Sequence, residues 1–212
     1  MLETYLTVQT QGQAELMIQK SRFIGHIKRT ETEEEAQEFI RQIKKEHSQA
    51  THNCSAYLIG EHDQIQKAND DGEPSGTAGV PMLEVLKKNE LKDTTIVVTR
   101  YYGGIKLGAG GLIRAYSKST SEALKATGIV KRQLMKNISI TVEYPLLGKI
   151  ENELRNNNHL IVEIDYLEHV TFNVVVAVNQ VESFTDWIID LTSDNVKIEL
   201  KQDQYIEIPY ET

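Results

Sequence analysis

The sequence predicts an α+β protein built as two consecutive units, residues 1–132 and 133–212. Apolar, β-branched segments alternate with helix-period segments along the whole chain. From Leu134 onward that alternation takes the order β-α-β-β-α-β, the ferredoxin-like arrangement. Between Thr95 and Tyr116 the chain reads TIVVTRYYGGIKLGAGGLIRAY, a strand, a glycine-rich loop and the start of a helix.

The first unit opens with extended segments at Glu15–Ile18 and Ser21–Ile27. Thr32 then starts a helix as its cap, with Glu35 three residues later completing a capping box. Glu33 and Glu34 lie at the positive end of the helix dipole, and Lys44 and Lys45 at its negative end. Ala36, Phe39, Ile40 and Ile43 form the stripe that faces a core. A strand at Asn53–Ile59, a turn at Glu61–Asp63 and a strand at Gln64–Ala68 follow. The loop Asn69–Gly79 leads to a helix from about Pro81, a residue suited to a first helical position. A strand at Thr94–Arg100 and a helix from about Gly110 to Thr127, stopped by Gly128, complete the unit. Lys131, Arg132 and Gln133 read as a short join. In the second unit, strands are expected at Leu134–Tyr144, Leu160–Leu167, Val170–Val178 and Val196–Ile208. Helices fall at Leu146–Asn157 and Val181–Leu191.

Composition is that of a globular protein: 40% apolar, 25% charged, 4 prolines. The first residues lack a basic stretch followed by an apolar one, and no apolar run approaches the roughly 18 residues of a bilayer span. Neither secretion nor a membrane partner is therefore expected. Cys54 is the only cysteine, which excludes an intrachain disulfide and points to a reducing compartment, the cytoplasm. The net charge of −8 is unevenly placed. Residues 1–132 hold 18 Lys and Arg against 17 Asp and Glu, and residues 133–212 hold 5 against 14. The acidic second unit repels a phosphate backbone at long range, so nucleic acid would have to meet a local patch on the first. That acidic surface is either simply solvated or a face for a basic protein partner.

Four groups of residues carry candidate chemistry. In DDGEPSGTAG, Asp70, Asp71 and Glu73 supply carboxylates, and Ser75 and Thr77 supply hydroxyls. Such a loop holds a hard cation or polar ligand, or is a solvated turn that caps the next helix. In the glycine loop, Gly103, Gly104, Gly108, Gly110 and Gly111 sit beside Arg100, Lys106 and Arg114. This is either an anion site made of backbone N–H groups at a helix start, or tight helix–strand packing. The phosphate-loop pattern fails because Ala109 follows Gly108, and the dinucleotide pattern fails at Ile113. His52 and Cys54 alternate and so share one strand face, as a catalytic or metal pair or as a half-buried edge. Tyr101 and Tyr102 either stack on bases or close the core. No catalytic, metal-ligating or cofactor set is assigned.

KSRFIGH (Lys20–His26), THNCSAY (Thr51–Tyr57), DDGEPSGTAG and VTRYYGGIKLGAGGLIRAY (Val98–Tyr116) together resemble the signature blocks of the YigZ/IMPACT family. The segment from Leu134 is similar to the ferredoxin-like domain of its bacterial members. The resemblance implies that the first unit takes the α/β sandwich fold of the second domain of the S-five-type ribosomal protein. It implies that the second unit resembles a domain of elongation factor G. It also implies a translation-linked or nucleic-acid-binding role; eukaryotic IMPACT restrains a starvation-sensing kinase by competing for that kinase's activator. The leading expectation is a non-enzymatic factor that binds structured RNA or the ribosome. Arg22, Arg100, Lys106 and Arg114 would meet phosphates, and Tyr101 and Tyr102 would stack. The alternatives are an enzyme on a small phosphorylated substrate, with Asp70, Asp71 or Glu73 as metal ligand or base and His52 assisting, and a protein-interaction regulator.

Overall fold

The computed structural model describes residues 1–210. Its elements are β1 (Thr4–Val8), β2 (Gln11–Ile18), β3 (Ser21–Arg29), α1 (Glu33–Glu46), β4 (His52–Ile59), β5 (Ile65–Asn69), α2 (Gly79–Lys88), β6 (Thr94–Tyr101) and α3 (Gly108–Thr127). They continue with β7 (Ile129–Val142), α4 (Leu147–Asn156), β8 (Leu160–Tyr166), β9 (Val170–Ala177), α5 (Val181–Thr192) and β10 (Lys197–Tyr210). Two compact units result, one of residues 5–131 with residues 208–210, the other of residues 1–4 and 132–207.

In the first of these, a sheet ordered β2-β3-β6-β4-β5 is antiparallel throughout. Strand alternation gives it two buried faces. Phe23, Ile27, Cys54, Leu58, Ile96 and Val98 pack with Met82 and Leu86 of α2 and with Leu112, Tyr116 and Ala123 of α3. On the opposite face Ala36, Phe39 and Ile43 of α1 cover Tyr57, Ile59 and Val97. Each fully buried Phe or Ile contributes about 1.5–3 kcal/mol, so α1 is held mainly by that stripe. Its start is capped by Thr32, whose Oγ1 accepts from Glu35 N at 3.2 Å. The reciprocal half of the box lands one residue earlier than expected, because Glu35 Oε2 accepts from Glu31 N at 2.8 Å.

In the other unit β7, α4, β8, β9, α5 and β10 follow in the expected order, with strands paired in the order β7-β9-β8 and β10 also on β7. Ile138, Ile140, Val142, Phe172 and Val174 face Ile150 and Leu154 of α4 and Phe184 and Ile188 of α5. The other face carries a polar ladder: Ser139 Oγ to Asn173 Oδ1 at 2.5 Å, and Asn173 Nδ2 to Asp165 Oδ2 at 2.9 Å.

Three sequence readings are corrected. The strand β1 lies where no element was expected, since its five residues carry too short a pattern to register. Lys131, Arg132 and Gln133 are not a join but part of the 14-residue strand β7. Finally, α2 begins at Gly79, which puts Pro81 at its third position. A proline costs nothing there, because the first four N–H groups of a helix have no intrahelical partner.

Candidate functional site

The end of β6 decides where the candidate residues go. Consecutive strand residues point to opposite faces, so Arg100 turns toward α3 while Tyr101 turns toward α1. Arg100 is 5% exposed, and its Nη1 donates to Glu73 Oε1 at 2.5 Å. Tyr116 Oη donates to the same oxygen at 2.8 Å, and Cys54 Sγ donates to Tyr116 Oη at 3.3 Å. His52 Nε2 stands 3.8 Å from Glu73 Oε2, while its Nδ1 meets the Asp71 carbonyl at 2.8 Å. The guanidinium lies 5.4 Å from the ring centroids of both Phe23 and Tyr102. This is a buried ion pair that ties the 70–79 loop to the sheet. It corrects the expectation for Arg100: its charge is spent inside and does not face a phosphate. Burial pushes the Cys54 thiol up to about 12, with the nearby carboxylates adding to the shift and the Tyr116 hydrogen bond opposing it. The His52 and Cys54 side chains thus share a face as expected, but the sulfur is a protonated core group, a poor nucleophile. Burial likewise holds the Tyr116 hydroxyl far above its usual range, helped by Cys54 and Glu73.

The acidic loop is organised around its own carboxylates. Asp70 accepts from Gly76 N (2.8 Å), Ala78 N (2.9 Å) and Gly79 N (2.8 Å), which caps the start of α2 from nine residues upstream. Burial would raise the Asp70 carboxyl, but those three backbone donors outweigh it and hold the group below the usual carboxylate range. Asp71 bonds Lys44 Nζ at 2.6 Å and Asn53 N at 2.7 Å. Thr77 is buried and donates to the Pro74 carbonyl at 2.6 Å, while Ser75 is exposed. The loop thus makes the helix-capping turn that one of its two readings describes. Among the described residues no group of three or more His, Cys, Asp or Glu stands together as a metal site.

The glycine loop divides in two. Gly103 packs on the backbone of Lys20 so closely that a Cβ would lie 2.0 Å from its carbonyl oxygen, and its N–H donates to Ser21 Oγ at 3.2 Å. That glycine serves packing. Beyond it the loop opens: Gly104 and Gly108 have φ of +84° and +67° with no neighbour within 4 Å of a built Cβ. Gly108 and Gly110 are exposed and Gly111 is half-buried. Leu107 makes no side-chain cap at the start of α3, and among the described residues no other side chain accepts from the first-turn N–H groups. Lys106 and Arg114 are exposed, and neither makes an ion pair among the described residues.

The remaining candidates lie apart. Tyr102 is 45% exposed above Arg100. Tyr101 Oη meets His47 Nδ1 at 3.0 Å on the α1 side, with Arg22 5.6 Å from its ring centroid. Arg22 is itself paired with Glu15 at 2.8 Å on the surface. Sequence reasoning missed Ser21, Tyr116 and His47 as polar partners. Tyr116 falls on the buried stripe of α3, where only its hydroxyl signals that a polar group must meet it.

Comparison with known proteins agrees with this arrangement of blocks. Residues 19–124 match the model described as "Impact N-terminal domain", and residues 140–195 match "Domain of unknown function (DUF1949)". The chain is 58% identical over 207 residues to "IMPACT family member YvyE" of Bacillus subtilis, covering 98% of this chain and 95% of that protein. It is 35% identical to "IMPACT family member YigZ" of Escherichia coli, covering 85% and 90% of the two chains. A solved structure titled "Crystal structure of an hypothetical protein" aligns with a TM-score of 0.61 at 32% identity, over 95% of this chain and 99% of that one. No helix among the described residues is long and apolar enough to cross a membrane. With its signature loops now placed at one end of the β3-β6-β4 sheet, the chain belongs to the IMPACT family.

Proposed function

We propose that this protein is a non-enzymatic cytoplasmic factor that regulates translation by binding structured RNA or the ribosome, and that the amino end of α3 meets the phosphates. The observation that carries this reading is the open first turn of α3, which no capping side chain claims among the described residues, beside Lys106 and Arg114, two exposed cations without ion pairs among those residues. Backbone N–H groups at a helix start favour an anion by about 0.3–1 kcal/mol, so the two side chains supply most of the attraction. Exposed Tyr102 borders the loop and offers a ring face to an unstacked base. Arg22 contributes by exchanging its exposed Glu15 partner for a phosphate, since a surface pair of this kind is worth at most about 1 kcal/mol. In keeping with the family resemblance, the first unit would take the ribosomal-protein-like sandwich and the second the elongation-factor-like ferredoxin fold.

The test is the salt dependence of binding to a ribosomal RNA hairpin, measured by fluorescence anisotropy from low to physiological salt. Each phosphate contact contributes a slope of about −0.9 on duplex and about −0.7 on single strands. We expect Lys106→Ala and Arg114→Ala each to weaken binding and flatten the slope by about one contact. A flat salt response in the unaltered protein would remove the basis of this reading.

A further inference from the structure

We infer that the groove between α1 and the edge strand β5 binds an extended acidic peptide by adding it to the sheet as a sixth strand. The strand β5 ends the order β2-β3-β6-β4-β5, so the side away from β4 has no strand partner among the described residues. Four of its five residues are exposed, Gln66 through Asn69. An edge of this kind presents a row of N–H and C=O groups to another backbone.

Beside that edge runs a groove of about 510 Å³, walled by Gln37, Arg41 and Lys44 of α1, floored by Tyr57 of β4 and bordered by Lys67 and Asn69 of β5. Strand addition needs both parts, an open edge for main-chain bonds and an adjacent hollow for every second side chain.

The charge of the walls selects the occupant. Arg41, Lys44 and Lys67 line the groove, whereas their carboxylate partners Glu38, Asp71 and Glu33 do not. All three cations are 40% to 63% exposed, so their present pairs are weak and exchangeable. An incoming acidic side chain takes the place of the resident carboxylate. A peptide backbone, unlike a phosphodiester, satisfies the edge donors and acceptors alike. None of these residues belongs to the glycine-rich end, so failure of RNA binding there leaves this site standing, and the reverse.

The experiment titrates the full chain with two blocked octapeptides, one alternating valine with glutamate and one alternating valine with lysine, following backbone amide shifts. Three exposed charge pairs together amount to about a tenfold preference. We expect the glutamate peptide to bind about tenfold more tightly, to move the β5 and α1 amides, and to weaken with salt. Arg41→Glu combined with Lys67→Glu should reverse the preference while the circular dichroism spectrum stays unchanged. If that variant fails to fold, the amide map and salt response of the unaltered chain decide alone. No binding, equal binding of both peptides, or shifts confined elsewhere would overturn the inference. A dimer by sedimentation that Lys67→Glu dissociates, without peptide binding, would assign the groove to a second copy instead. Movement of the same amides by polyuridylate alone would assign it to RNA, and either result overturns the peptide.

Discussion

Replacing Glu73 by alanine tests the centre of the first unit most directly. The side chains of Glu73 and Arg100 are 3% and 5% exposed, with 2.5 Å between Oε1 and Nη1. At an effective dielectric of about 20, charges about 4 Å apart attract by about 4 kcal/mol. Alanine removes that attraction and leaves the guanidinium in the core with Ser21 Oγ, at 3.5 Å, as its one side-chain acceptor among the described residues. The Tyr116 hydroxyl loses its acceptor as well, at about 1–3 kcal/mol, and the two ring contacts on Arg100 offset part of the loss. The net expectation is a destabilisation of about 3–5 kcal/mol, as for other buried pairs broken on one side. Urea unfolding followed by far-UV circular dichroism measures it; the single tryptophan, Trp187, is in the other unit and would miss it. Pairing the change with Arg100→Met should recover most of the loss, because no buried charge is then left alone. A cost below about 1 kcal/mol for Glu73→Ala would refute the buried pair, since only exposed pairs are that weak.

Three further outcomes follow from the geometry. His26 is 4% exposed, and burial, helped by the adjacent His47, brings its imidazole down to about 4. The native state therefore excludes a proton that the unfolded chain binds, so stability is full above pH 6.5 and falls toward pH 4 by roughly 3 kcal/mol. His26→Gln should remove that fall, seen as the difference between the two stability–pH curves; parallel curves would contradict it. Gly103→Ala should destabilise by about 1–3 kcal/mol or more in the same urea assay, since its Cβ would overlap the Lys20 backbone, and an unchanged midpoint would show that the loop yields. Cys54 should resist iodoacetamide in the folded protein at pH 8 and react promptly in urea, because its thiol stays protonated; rapid native alkylation would contradict its burial.

Much of the fold is legible in the sequence because it rests on local pattern. The α1 stripe of Ala36, Phe39 and Ile43 and the cap at Thr32 declare themselves within about a dozen residues, and the β-α-β-β-α-β order is read one local element at a time. What could not be read depends on contacts distant in sequence. Asp70 caps α2 only because the loop folds back on it, and nothing in DDGEPSGTAG distinguishes that from a cation site.

The charges of the candidate site were the hardest to read, for a reason that changes how its variants must be interpreted. A cation at a strand end looks the same in sequence whether it faces solvent or core; alternation fixes only that Arg100 and Tyr101 part company. Arg100, through Glu73 and Tyr116, ties β6 and the 70–79 loop to α3, the helix whose first turn is the proposed phosphate site. Arg100→Ala would therefore weaken RNA binding without ever having touched RNA. The two roles separate by salt: a lost phosphate contact flattens the slope of log K against log salt, whereas a lost positioning group lowers K and leaves the slope of the folded fraction unchanged. We accordingly expect Lys106→Ala to change the slope and Arg100→Ala to change the folded fraction. A flattened slope in Arg100→Ala, corrected for unfolding, would mean that the guanidinium leaves its pair with Glu73 and reaches the ligand after all.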